Sequence, residues 1–487
     1  MEIQENSLPV FYISRILGLA PYVFRQNGRN RVDEIRRLPW LCVYSICFLL
    51  TAVSLTFRFI FIDSYDKLPI RMRTPTQKFV TVFDVCVVVG ACVCGALTGL
   101  IGKRLIQRIN ANLRKADDEL ALFNDPVNHK KRGIWLLFIV FSLMTCMIAL
   151  DIISKLKSAK KYKTKQEQLG KLAKNLPNER IHIENYLSFY LLYYILMALH
   201  TQFAQAALGI YRRYNRLNCY IKNIFSLKKI LESASKTKAT KVDVQNATDT
   251  AVRETNNENH LPGSNPIQKP TGRITTVSRA NLDENHATPA FSTGKYSAST
   301  NVIAYGKFPT VTTPTRTITT TLTRASFVLD RLSYTHAILG ETVTLVSRVY
   351  GLTLLVMLAS CLLHLVATSY FLFLELLNDP DFFVATLQLL WCCFHISRLL
   401  LLVEPCHMAT AEARKTIIIV CEVLRNCKDM SVEPILQRFW RQLIADKTYY
   451  FTASGMCTVE RQILTSISGA IATYLVILIQ FQKADGD

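Results

Sequence analysis

Seven apolar blocks recur along this 487-residue chain, each about as long as an α-helix must be to cross the hydrocarbon of a bilayer. They run Leu38–Ile62, Phe79–Gly102, Ile134–Ile153, Tyr186–Ile210, Val349–Leu377, Phe383–Val403 and Ile463–Phe481. In lipid only helices and closed barrels satisfy every backbone N–H and C=O, and these blocks are too long for barrel strands. With 50% hydrophobic and 19% charged residues, the composition agrees. The expected fold class is an all-α membrane protein with seven transmembrane helices.

An odd number of spans places the termini on opposite sides. With the N-terminus inside, the inner segments carry 40 Lys and Arg, leaving aside Arg461 at a span edge, and the outer ones 14, as the positive-inside rule requires. The loop 154–185, with nine basic residues, runs against it. All 14 cysteines fall in spans or inner segments, which fits a reducing cytosol and excludes an extracellular disulfide framework. The expected topology is therefore an intracellular segment 1–37 and an extracellular tail 482–487. The sequon Asn246-Ala-Thr248 falls inside and should stay unmodified. The N-terminal stretch Phe11–Pro21 lacks the apolar core and cleavage site of a signal peptide, so it is expected to remain as a helix near the inner membrane surface. The formal charge of +21 follows from loops flanking spans; no nucleic-acid motif accompanies it and no nucleic-acid partner is expected.

The inner segment 211–348 contains a stretch, 233–323, rich in Thr, Ser, Asn, Ala and Lys and poor in large apolar residues. It buries too little surface to offset ordering entropy and is expected to be disordered. The inner segment 404–462 instead carries apolar residues at helical spacing in 416–424 and 433–443, amphipathic helices that copies of the chain could cover below the membrane. Adjacent Cys406 and His407 lack a second pair of ligands and make no metal site; no cofactor is expected.

Ionisable groups inside spans are expensive and mark function. Given the topology, Asp84, Asp151, Tyr190, Tyr194, His364, Thr368, Glu375, Gln388, Trp391 and His395 lie between mid-depth and the outer surface. His364, Thr368 and Glu375 share one helical face by spacing, and so do Gln388, Trp391 and His395. Carboxylates, amides and imidazoles pair with several hydroxyls while an aromatic wall covers C–H patches, which suits a small polyhydroxylated ligand. The tyrosines serve equally as an aromatic belt, Asp151 and Glu375 as solvated interfacial groups, and the histidines as satisfied core residues. Trp391 lies deeper than a belt residue should.

The last span is small in its first half (Ser466, Ser468, Gly469, Ala470, Ala472), permitting close packing, and ends in Thr473-Tyr474, five apolar residues, then Gln480-Phe481. In a symmetric oligomer a ring of Gln480 amides would solvate ions with little charge discrimination, and apolar side chains would gate by dewetting.

That ending resembles the C-terminal signature of insect gustatory receptors. Ser360–Thr368, Tyr370–Leu377 and Val403–His407 are similar to the fructose-sensing branch of that family, as are Phe11–Ser14 and Pro69–Met72. The resemblance implies the insect chemoreceptor channel fold: a homotetrameric, ligand-gated cation channel of the plasma membrane in sensory neurons, passing monovalent and divalent cations. It places Gln480 and Phe481 at the constriction, with Thr473, Tyr474 and Ile477 on the same pore helix, and makes Gln388 and Trp391 ligand contacts in one sugar pocket per subunit. No catalysis is implied. A G-protein-coupled receptor would place its N-terminus outside and bring an Asn-Pro pair in span 7, which is missing here. A sugar carrier is the other seven-span alternative, and the lack of an internal repeat argues against most of these.

Overall fold

In the computed structural model, the described residues are 2–27, 32–58, 75–121, 130–169, 184–254, 314–377, 381–427, 429–446 and 449–484. Their order is α1 (Glu2–Ile16), β1 (Tyr22–Asn27), β2 (Val32–Arg37), α2 (Pro39–Arg58), α3 (Pro75–Ile101), α4 (Lys103–Ala121), α5 (Lys130–Leu169), α6 (Glu184–Glu254) and α7 (Pro314–Leu377). Then follow α8 (Phe382–Asn426), α9 (Glu433–Ala445), β3 (Thr452–Ala453), β4 (Cys457–Thr458) and α10 (Gln462–Ala484). Seven of these helices (α2, α3, α5, α6, α7, α8 and α10) are long and apolar enough to cross a membrane, and each overlaps one of the blocks read from the sequence, residues 59–62 of the first block lying outside those described.

The chain divides into one compact unit, 1–226 with 321–487, and a second, 227–320. In the second, residues 227–254 continue α6 and 314–320 open α7, so the stretch expected to be disordered is helical at both flanks. Residues 255–313 lie outside those described. The sequon Asn246-Ala-Thr248 falls on the α6 continuation.

Within the first unit α6, α7 and α8 run far past their apolar blocks, because apolar residues keep recurring every three or four positions. On α6 these are Tyr214, Leu217 and Ile221, each fully buried. A helix continued from an existing end adds one hydrogen bond per residue fixed, so no new nucleus is needed. The chain thus builds two apolar clusters. The larger joins α3, α5, α6, α7 and α8 through residues such as Val88, Met144, Leu196, Met357 and Leu402. The smaller joins Leu120 of α4, Leu217 of α6, Leu332 of α7 and Val420 of α8 with Leu436, Phe439 and Leu443 of α9. The amphipathic helices of 416–424 and 433–443 therefore bury much of their apolar surface within their own chain, with Ile418 left exposed.

Polar pairs fix the smaller cluster's register. Arg213 holds Asp117 of α4 through two hydrogen bonds of 2.9 and 2.6 Å, the planar fork that matches a carboxylate. Asn218 donates to the Glu412 backbone carbonyl (2.8 Å) and accepts from Thr416 (2.7 Å), tying α6 to α8. The loop Leu17–Pro21 packs beside α3, where Gly99 leaves room for the Leu19 carbonyl. β1 pairs antiparallel with β2 from Tyr22↔Arg37 to Asn27↔Val32.

Burial separates α10 from the other spans. Only 6% of its apolar window is buried within the chain, against 67%, 61% and 56% for α6, α7 and α8.

Candidate functional site

Four helices bring polar and aromatic side chains together in the larger cluster. On α8, residues 388, 391, 395 and 398 recur at steps of three and four, so Gln388, Trp391, His395 and Arg398 share one face, and all are buried. On α7, Ser360, Cys361 and His364 form the facing surface; α6 contributes Tyr193 and His200, and α3 contributes Asp84.

The rings interlock. Trp391 stacks on His395 (centroids 5.6 Å, 26°), His395 lies 4.7 Å from His364, and Tyr193 meets both His364 (5.5 Å) and Trp391 (5.8 Å) edge-on. Fully buried Arg398 donates to His395 Nδ1 (3.0 Å) and to Ser360 Oγ (3.3 Å), and its guanidinium sits 5.9 Å from the Tyr193 ring centroid. His395 Nδ1 must accept in that contact and so carries no proton. His200 Nδ1 is 2.7 Å from the Leu196 carbonyl, leaving Nε2 facing Cys361 Sγ at 3.8 Å.

The hydrogen bonding is incomplete at the centre. Asp84 Oδ1 lies 3.3 Å from His364 Nε2, a contact in which neither atom completes a hydrogen bond. Gln388 Oε1 and Arg398 Nε are likewise buried without a partner. Buried polar atoms are paired in nine cases out of ten or more, so two acceptors and two ring or guanidinium nitrogens in one cluster leave an unusual share of hydrogen-bonding capacity unused there.

The expected residues therefore divide. Asp84, His364, Trp391 and His395 come together, with Gln388 on the same α8 face. Asp151 and Tyr190 form a group of their own: the Tyr190 hydroxyl donates to Asp151, and Lys155 reaches Asp151 at 2.9 Å and Tyr190 at 3.0 Å. Tyr194 turns to α5, with its hydroxyl 2.9 Å from Thr145 Oγ1 and its ring against Phe141. The Thr368 hydroxyl donates to the His364 carbonyl of its own helix. Glu375, near the end of α7, accepts from the Asp381 backbone N–H at 3.4 Å. Tyr193 and Arg398 are the central residues that spacing alone did not single out. The signal for Arg398 was present, since it extends the 388–391–395 face by one more step.

On α10, Thr473 donates to the Gly469 carbonyl of its own helix, and Tyr474, Ile477, Gln480 and Phe481 are all exposed. α10 is anchored at its start, where Arg461 donates twice to Glu404 of α8. Two open cavities lie apart from the buried cluster. One of about 360 Å³ is lined by Trp135, Ile139 and Arg212; another of about 640 Å³ lies between α7 and the β3–β4 hairpin.

This architecture is not isolated. The family described as 7tm chemosensory receptor matches residues 8–245 and 308–485. The chain is 34% identical to the Drosophila melanogaster gustatory receptor for sugar taste 43a over 486 residues, the full length of both. It is 36% identical to the gustatory and pheromone receptor 32a of the same fly over 95 residues, 20% of each. The insect olfactory receptor OR5 from Machilis hrabei, solved in complex with eugenol, shares the fold at a TM-score of 0.52 and 14% identity, with 97% of each chain covered. These relatives are receptors and not enzymes. With a family match across nearly its whole length and a full-length gustatory relative, the chain belongs to the 7tm chemosensory receptors, among the gustatory receptors of insects, as a multi-pass membrane protein.

Proposed function

We propose that the chain is a sugar-gated, poorly selective cation channel, a homotetramer whose subunits each bind one small sugar, D-fructose first, and line a central pore with α10. The N-terminus and the 211–348 segment lie in the cytosol and the C-terminal tail outside. The observation that carries this reading is α10. It is predominantly apolar, joins the larger core through Ile467, and presents Tyr474, Ile477, Gln480 and Phe481 on an unburied surface. Four copies packed by their small residues would cover one side of it and place Gln480 and Phe481 at a shared constriction.

The sugar is read from the buried cluster, with support from full-length likeness to a receptor named for sugar taste. Asp84 Oδ1 and Gln388 Oε1 offer acceptors to sugar hydroxyls, and His364 Nε2 and Arg398 Nε face the same cluster with hydrogen-bonding capacity to spare. Trp391, moved off His395, offers an aromatic face to the C–H side of the ring. The cluster is closed in this conformation, so sugar must favour a rearranged one. It can shift the gate only by its differential affinity for open and closed states. Four sites acting on one pore make the response steep. Because α8 carries both Trp391 and Glu404, movement at the pocket reaches the foot of α10 along a single helix.

The test is expression of this chain alone in cells without other receptors, with current recorded across a series of monosaccharides. Sugar-evoked cation current is expected, strongest for fructose. Sugar uptake without unitary currents would establish a carrier instead.

A further inference from the structure

Three arginines surround the segment that leads into α10, and two are neutralised. Arg461 is bound twice by Glu404, and Arg414 donates to Glu460 at 2.6 Å. Arg348 of α7 is exposed, and among the described residues no carboxylate lies within ion-pair distance of it. It lines the cavity of about 640 Å³ together with the hydroxyl-bearing Thr344, Ser347, Thr452, Ser454 and Thr458, and no Asp or Glu joins them.

The rim of this cavity is held in place. Ser347 Oγ accepts from the Thr452 backbone N–H (3.1 Å), which leaves its own proton free to donate elsewhere. The hairpin turn closes with Met456 N–H on the Ala453 carbonyl (3.0 Å), and Ser454 takes a left-handed φ of 53° beside Gly455 at 73°. Ser454 is the one non-glycine residue with positive φ among the described residues. Such a conformation persists where surrounding structure enforces it, and it is often found at binding sites. Gly351 permits the close approach of α7 to this turn, because a Cβ there would come within 2.9 Å of the Ser454 nitrogen. α7 and the turn are thus pressed together along one wall of the cavity.

We propose that this cavity binds a phosphorylated group. An unneutralised guanidinium offers a planar fork to phosphate, and the hydroxyls of Ser347, Thr452, Ser454 and Thr458 supply further donors to its remaining oxygens, that of Thr344 being given to the Gly340 carbonyl. Arg348 immediately precedes the apolar block Val349–Leu377, so the cavity opens at the level where α7 enters the membrane, within reach of a lipid headgroup or of a soluble phosphate. Assigning that level to the cytosolic leaflet rests on the topology proposed above, whereas the binding does not. An occupant held by Arg348 and by the hairpin would tie α7 to the residues just before α10.

The test uses the full chain in nanodiscs without sugar. One arm measures retention of phosphatidylinositol bisphosphate in phosphatidylcholine discs; the other measures binding of inositol hexakisphosphate to discs of phosphatidylcholine alone. Binding in the lipid arm only assigns a headgroup, and binding in both assigns phosphate from either source. In each case Arg348→Gln should weaken it about tenfold, the scale of one charge-assisted contact, and Gly351→Val should weaken it by displacing the turn. Equal binding by wild type and Arg348→Gln, or none in either arm, overturns the proposal. So does an Arg348→Gln protein that binds normally but elutes as a smaller assembly, since Arg348 would then be a contact between subunits. Because sugar is absent throughout, a chain that binds phosphate here but gives no sugar current refutes the proposed gating and leaves this site standing.

Discussion

Glu404, on α8, and Arg461, the residue before α10, are joined by two near-parallel hydrogen bonds of 2.9 and 2.8 Å. The carboxylate holds the Arg461 guanidinium above its ordinary pKa, first through the hydrogen bonds and then through charge. Arg461 is exposed, so the pair adds little to stability and is screened by salt. Its position matters more than its strength. With the Arg414–Glu460 pair, it links the helix carrying Trp391 to the entry of the proposed pore helix.

Glu404→Gln and Arg461→Gln should therefore leave surface expression near wild type and shift the half-maximal sugar concentration several-fold. The charge-reversed pair, Glu404→Arg with Arg461→Glu, should recover part of that shift. Additive effects of the two single changes in a double-mutant cycle would show that the pair carries no coupling.

Trp391 contacts Tyr193, Phe394 and His395, so truncation to Ala risks the fold, at about 3–5 kcal/mol for a buried Trp. Trp391→Phe keeps an aromatic face and most of the volume. It should reach the surface yet respond to sugar at reduced sensitivity, measured by current in cells matched for surface protein. An unchanged dose–response would remove Trp391 from the pocket.

Arg398 makes two hydrogen bonds from a fully buried position that an ammonium cannot reproduce together. Arg398→Lys should retain charge and assembly while weakening sugar sensitivity about tenfold, the value of one lost charged hydrogen bond. Equal sensitivity in the two proteins would make Arg398 a packing residue only.

The seven apolar blocks were plain in the sequence because a bilayer imposes length and polarity on each segment separately. The tertiary arrangement left weaker traces. The α4 helix is polar on average, and its buried stripe of Ile109, Leu113, Ala116 and Leu120 has meaning only against α6 and α7. The spacing of His364, Thr368 and Glu375 placed them on one face, but Thr368 gives its hydroxyl to its own helix and Glu375 bonds the Asp381 backbone beyond the end of α7. Among the tyrosines of α6 each step turns the side chain by about 100°. Tyr190 therefore meets Asp151, Tyr193 meets His364 and Trp391, and Tyr194 meets Thr145, so one aromatic run serves three surroundings. The Asp84–His364 contact joins residues 280 apart in the chain, and nothing local to either foretells it.

Gly99 offers a test of the packing that lies outside the proposed pocket. A Cβ there would collide with the Leu19 carbonyl, and backbone cannot swing aside as a side-chain tip can. Gly99→Ala should cost about 1–3 kcal/mol, the range for overpacking, and should be seen as a lower melting temperature of the purified protein. A protein that melts with wild type would mean that the Leu17–Pro21 loop does not press against α3.

The pore assignment makes the sharpest prediction, because it concerns a residue with no structural duty in the isolated chain. Gln480 is exposed on a helix that its own subunit scarcely covers. A lone interfacial amide replaced by Glu would leave permeation untouched. A ring of four carboxylates at a constriction would instead concentrate cations and bind divalent ions more tightly than amides do. Gln480→Glu should therefore raise cation selectivity and introduce block by external calcium, while the sugar dose–response stays close to wild type. Reversal potentials and calcium block identical to wild type would place Gln480 outside the conduction path and take the constriction away from this end of α10.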